Sequence, residues 1–160
     1  VTNNRDSAIF HWCLDNDIDV RHISSKSHRG TENADEAIAT VLQNAGTDLV
    51  ICSGYMKQIG PCTLDAFAGR MLNIHPALLP RHGGKGMYGD RVHEAVLAAG
   101  DQQSGATVHM VTAGIDEGPV VLQEAVPVLP DDTVASLRAR VQAVEAELYL
   151  RAVLTLLPVL

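Results

Sequence analysis

Met71-Leu72-Asn73-Ile74-His75-Pro76 is the stretch on which the reading of this chain turns. Residues 71–75 read as a short strand stopped by Pro76, whose ring offers the ladder no N–H and keeps His75 extended. Side chains two apart on a strand share a face, so Asn73 and His75 project together. An amide and an imidazole then face one pocket at the carboxyl end of a strand, where open α/β sheets put their ligands. Such a pair can stabilise an oxyanion. Read alone, the same two residues can equally satisfy backbone groups where a strand meets a loop.

Outward from this strand, helical and β-rich runs alternate. Residues 7–16 place Ile9, Phe10, Cys13 and Leu14 at helical spacing behind an Asp6/Ser7 cap. Residues 18–23 read as a short strand, 32–45 as a helix ended by Gly46, and 48–52 as a buried strand. Pro61 suits the first turn of a helix that dies near Gly69. After the strand comes a glycine-rich loop over 76–90, a helix over 92–99 capped by Gly100, and β-rich runs at 106–112 and 120–128 with a hairpin-like connection. Residues 133–157 form a long amphipathic helix behind an Asp131/Asp132 cap. This order predicts one α/β domain over residues 1–160, with a Rossmann-like, mostly parallel sheet flanked by helices and a late antiparallel strand pair.

The chain is 160 residues long and 46% apolar, enough for one ordinary core. Its 12 Lys and Arg against 19 Asp and Glu, a formal charge of -7, disfavour a nucleic-acid partner and favour small-molecule substrates. Cys13, Cys52 and Cys62 form no C-x-x-C pair, which points away from a disulfide framework and towards a reducing cytoplasm. The longest apolar runs, such as 153–160, fall far short of a bilayer span.

Asp116 lies in the acidic turn Gly114-Ile115-Asp116-Glu117-Gly118-Pro119. A carboxylate beside an imidazole fixes its orientation and raises its pKa, keeping His75 cationic more often; a local turn hydrogen bond is the alternative use of such an Asp. Gly83-Gly84-Lys85-Gly86-Met87-Tyr88-Gly89 is not a Walker loop, since Lys85 is followed by Gly86; it reads as a mobile surface loop over the pocket. The remaining histidines, His11, His22, His28, His82, His93 and His109, show no paired metal spacing, so no metal site is expected. His109, inside a β-rich run, reads as structural. No serine sits in a G-x-S-x-G elbow.

Taken in order, Cys52-Ser53-Gly54-Tyr55-Met56-Lys57, Asn73-Ile74-His75-Pro76-Ala77-Leu78-Leu79-Pro80, the 83–89 loop and the 114–119 turn resemble the phosphoribosylglycinamide formyltransferase family of folate-dependent formyltransferases. The resemblance covers almost the whole chain. It implies transfer of a formyl group from 10-formyltetrahydrofolate, a co-substrate rather than a tightly bound cofactor, to the amine of glycinamide ribonucleotide in de novo purine (IMP) biosynthesis. Within it, Asn73 and His75 stabilise the oxyanion of the tetrahedral intermediate, and Asp116 holds His75 protonated and assists proton relay.

The same resemblance assigns folate contacts to Met56, Lys57, Gln58, Ile59, Leu64, Asn73, Ala113, Gly114 and Asp116. It puts Pro76, Gln142 and Glu145 on the ribonucleotide side. Lys57 stands where the family often has Arg, keeping charge without the planar fork. It further implies an N-terminally truncated domain, with roughly thirty residues of strand, phosphate-binding loop and helix ahead of Val1. A cytoplasmic monomer or homodimer is expected, with no membrane contact. The alternatives are a formyltetrahydrofolate deformylase and a non-catalytic, folate-binding remnant; a tRNA formyltransferase is opposed by the negative charge.

Overall fold

A computed structural model describes residues 1–156. The chain resolves into two compact units, one of Val1–Thr47 with Lys57–Phe67 and one of Asp48–Met56 with Ala68–Leu160.

The first unit holds helices α1 (Ala8–Asp15), α2 (Thr31–Asn44) and α3 (Pro61–Ala66). Gly46, at φ 63, ends α2 as its position predicts, with its N–H on the Gln43 carbonyl. The buried Asp35 side chain caps α3. Its carboxylate accepts from the N–H of Cys62 (2.7 Å) and Thr63 (3.1 Å) and from the Thr63 hydroxyl (2.6 Å), satisfying donors that a helix start leaves open. The strand expected at 18–23 is not formed. Only His22 makes a bridge, parallel to Thr2, and the two backbone hydrogen bonds that frame it, Thr2 N–H to the Arg21 carbonyl and Ile23 N–H to the Thr2 carbonyl, do not extend into a ladder.

The second unit is built on a four-stranded sheet in the order β1 (Val50–Cys52), β2 (Met71–His75), β3 (Gln103–Met110) and β4 (Val120–Pro127), with α4 (Asp90–Ala98) and α5 (Val134–Leu156). β1 and β2 are parallel; β2/β3 and β3/β4 are antiparallel, so the antiparallel part extends beyond the expected late pair. Leu157, placed in the last helix from sequence, lies outside the described residues.

In β2, Leu72 and Ile74 point to one face, against Val108 of β3 and Leu137, Val141, Leu148 and Ala152 of α5. That apolar face is the core. The opposite face carries Asn73 and His75, and the antiparallel register sets His109 opposite Asn73 and Thr107 opposite His75. One sheet therefore separates packing from chemistry by strand alternation alone. Tyr149 fastens α5 to it, its hydroxyl hydrogen shared between the carbonyls of Cys52 and Leu72, both at 2.9 Å.

The start of α5 differs from expectation in its cap. Thr133 and Ser136 form a reciprocal pair, Ser136 N–H to Thr133 Oγ1 (3.2 Å) and Thr133 N–H to Ser136 Oγ (2.9 Å). Asp132 instead binds Arg140 through both carboxylate oxygens.

Candidate active site

The polar sheet face brings Asn73, His75 and Asp116 together. His75 is 3% exposed. Its Nε2–H donates to the His82 carbonyl at 2.8 Å, and its Nδ1 lies 3.4 Å from Asp116 Oδ2. Both ring nitrogens thus face oxygen acceptors, an arrangement that only the doubly protonated ring satisfies on both sides. Burial opposes that cation and pulls the His75 pKa below the ordinary imidazole value, although Asp116 and the His82 carbonyl pull it back up. The expected rise is therefore reversed, because desolvation outweighs the carboxylate.

Asp116 reaches the site from the connection between β3 and β4. A register shift at Val108/His109 sets His109 opposite Val120, and Asp116 takes the left-handed region at φ 59, which Asp tolerates better than most residues. Its Oδ2 also accepts the Gly84 N–H at 2.9 Å. Burial works against the carboxylate, but the Gly84 N–H and the nearby His75 hold it below the usual range. The glycine-rich segment is tied here. A Cβ on Gly83 would lie 2.4 Å from the Leu79 Cδ2 methyl and 3.3 Å from Asp116 Cβ, so the segment passes close to Asp116.

Two histidines missed as site residues complete the group. His109 donates Nδ1–H to the Met110 carbonyl (2.9 Å), which leaves Nε2 to accept from Asn73 Nδ2 at 3.2 Å, with Asp116 Oδ1 at 3.6 Å. Asn73 is thereby oriented, and its second amide hydrogen remains for a ligand. The signal in sequence was the spacing of Thr107 and His109, two apart on a strand like Asn73 and His75. His82 enters through its carbonyl, which no side-chain pattern announces.

Thr107, fully buried, fixes the segment after His75. Its hydroxyl donates to the Ala77 carbonyl (2.6 Å) and accepts from Leu79 N–H (3.1 Å) and Gln123 Nε2 (2.8 Å). Thr107→Val keeps the shape and strands these buried groups, so the unfolding free energy should fall by about 2 kcal/mol, read as a lower urea midpoint.

The pH dependence follows from two buried histidines. His75 and His93 both titrate below the ordinary 6.5, burial being the first cause for each. As pH falls through 6.5 the unfolded chain takes up protons that the folded one refuses. Stability present above that pH is then lost down through the folded-state values. The denaturation midpoint should decline as pH falls below about 6.5, and His93→Gln should flatten part of the slope.

Among the other predicted site residues, Pro76 is half-buried directly after His75, Met56 is exposed after β1, and Ala113 and Gly114 lie in the Asp116 connection. Gln142 and Glu145 are one turn apart on α5, Glu145 also one turn from Tyr149. Burial raises the Glu145 carboxyl. Lys57, Gln58, Ile59 and Leu64 belong to the first unit, with Lys57 and Gln58 exposed and Leu64 half-buried on α3. Among the described residues, no group of His, Cys, Asp and Glu is arranged to hold a metal ion, and no helix is long and apolar enough to cross a membrane.

The formyl transferase family model matches residues 1–153. The chain belongs to the formyl transferase family. It is 39% identical over 154 residues to the chloroplastic phosphoribosylglycinamide formyltransferase of Arabidopsis thaliana, covering 96% of this chain and 53% of that protein. It is 40% identical over 115 residues to the phosphoribosylglycinamide formyltransferase of Haemophilus influenzae, covering 72% and 52%. Among solved structures, the glycinamide ribonucleotide transformylase 1 of Symbiobacterium toebii superposes with a TM-score of 0.86 at 39% identity, covering 94% of this chain and 68% of that one. A formyltetrahydrofolate deformylase from Pseudomonas syringae pv. tomato, 24% identical with a TM-score of 0.80, shares the formyltransferase fold. The chain spans about half the length of these first two relatives.

Proposed function

We propose that the protein transfers the formyl group of 10-formyltetrahydrofolate to the amine of glycinamide ribonucleotide, in de novo purine biosynthesis. The observation that carries this reading is the meeting of Asn73, His75 and Asp116 on the polar face of the sheet. The amine attacks the formyl carbon, a new C–N bond forms, and the carbonyl electron pair moves onto oxygen. The unused Asn73 amide hydrogen donates to that oxyanion, and the protonated His75 ring, both of whose N–H groups face protein acceptors, stabilises it through its charge. A proton lost by the attacking nitrogen passes by way of the His75–Asp116 pair to the leaving N10, and breaking the C–N10 bond releases tetrahydrofolate.

Within the same reading, Met56, Lys57, Gln58, Ile59, Leu64, Ala113 and Gly114 contact folate, while Pro76, Gln142 and Glu145 serve the ribonucleotide. A cytoplasmic monomer or homodimer acting on small molecules, without nucleic acid, fits the negative charge and the three unpaired cysteines. The test is to mix the full-length protein with both substrates and follow the N-formylated ribonucleotide by mass spectrometry. Product formed by wild type and lost in Asn73→Ala supports the assignment. No product from a folded wild type refutes it.

A further inference from the structure

His82 stands in an unusual position for a histidine. Its backbone is left-handed at φ 54, and its carbonyl accepts the Nε2–H of His75 at 2.8 Å. Gly83 and Gly84 follow, so local sterics do little to fix the 82–83 peptide plane that presents this carbonyl. Its anchor is the side chain. His82 Nε2–H donates to Asp101 Oδ2 at 2.7 Å, and the other oxygen of Asp101 accepts from Arg81. Asp101 is itself fixed to the end of α4, its N–H on the Val96 carbonyl just after Gly100 at φ 67. A continuous connection runs from the end of α4 through Asp101 and His82 to the ring of His75.

We propose that His82 is a positioning residue, its side chain locked to Asp101 so that its own carbonyl holds the ring orientation and the protonated Nε2 of His75. Gly84, two residues on, anchors Asp116 through its N–H, so one short segment of loop fixes both members of the His75–Asp116 pair. The neutral ring can carry only one proton; with Nε2 committed to His82, the second is exchanged at Nδ1, the atom facing Asp116. The titratable and charged groups facing His75 are Asp116, His109 and His82, with His93 from α4; those facing His82 are Asp101, Arg81 and His75. A carbonyl acceptor favours the imidazolium, so its loss lowers the His75 pKa.

This inference rests on the formyl-transfer reading for its kinetic arm alone; the spectroscopic arm does not need it. The full-length protein, labelled with ¹⁵N-histidine, is compared with Asp101→Ala, His82→Leu and His82→Gln. The His82–Asp101 pair lines an open cleft of about 480 Å³ rather than the core, so truncation there adds to solvent-filled space. Asp101→Ala and His82→Leu should shift the His75 titration to lower pH and move the limb of the kcat–pH profile it governs in the same direction. kcat should fall roughly tenfold with KM little changed. His82→Gln, which still offers an N–H to Asp101, should restore most of both.

An unchanged His75 titration in folded Asp101→Ala or His82→Leu overturns the proposal. So does a His82→Gln that behaves like His82→Leu. Should Asp101→Ala not fold, the Leu and Gln pair decides by itself. A wild type without formyl transfer, but with the His75 shift in the variants, refutes the functional reading and leaves the positioning role standing.

Discussion

Replacing any one of Asn73, His75 and Asp116 by Ala should lower kcat for formyl transfer by at least about a hundredfold, the usual scale for an oxyanion donor or a positioned acid–base group. The three losses have different origins. Asn73→Ala removes an amide hydrogen aimed by His109 and takes away the donor that faces His109 Nε2, without removing an ionisable group. His75→Ala removes the imidazolium charge beside the oxyanion. Asp116→Ala removes the charge that opposes the burial penalty on His75, and also the acceptor for the Gly84 N–H.

Asp116→Asn separates those last two effects. It keeps an oxygen for Gly84 and discards the charge, so a large loss in the Asn variant assigns the role to electrostatics. Because Asp116 acts through His75, the double Ala variant should be little worse than the worse single one. Circular dichroism and urea unfolding of each variant keep these losses apart from loss of fold.

The largest expected effect on stability belongs to Gly118→Ala. A Cβ there would sit 1.8 Å from the Met110 carbonyl oxygen and 2.8 Å from its carbon, both backbone atoms of β3 that cannot rotate away. The Met110 N–H is meanwhile bonded to the Pro119 carbonyl at 2.9 Å, so the two segments cannot part without losing a ladder bond. The cost should reach about 3 kcal/mol, the upper end for overpacking, and should appear as a lower urea midpoint at unchanged m. Asp116 lies two residues away, so activity should fall in the molecules that remain folded.

How much of this was legible beforehand depended on whether a local rule carried the feature. β2 was legible because Pro76 stops it and the spacing of Asn73 and His75 assigns their face. The end of α2 was legible because Gly46 supplies a left-handed cap. Residues 18–23 misled because β-rich composition says nothing about a partner strand, and only the bridge to Thr2 forms. At α5 the nearby acidic pair drew attention from Thr133 and Ser136, whose spacing is that of a capping box with Ser in place of Glu.

Within the site, the identity of the three central residues came from the ordered motifs, and their proximity from the fold. The β2/β3 register that brings His109 opposite Asn73, and the register shift within the β3/β4 pairing, are tertiary facts without a local signature. The sign of the His75 shift was misread for the same reason. A carboxylate can be seen in sequence, but the extent of burial that outweighs it cannot.

The most direct test of the central claim follows the formyl carbon itself. Full-length protein is supplied with 10-formyltetrahydrofolate carrying a ¹³C-formyl group, with and without glycinamide ribonucleotide, and the label is located by NMR. Label on the ribonucleotide amine, tetrahydrofolate in equal amount, and negligible turnover when the ribonucleotide is left out are expected. Label released as formate at the same rate with or without the ribonucleotide would contradict the claim, because the acceptor of the formyl group would then be water.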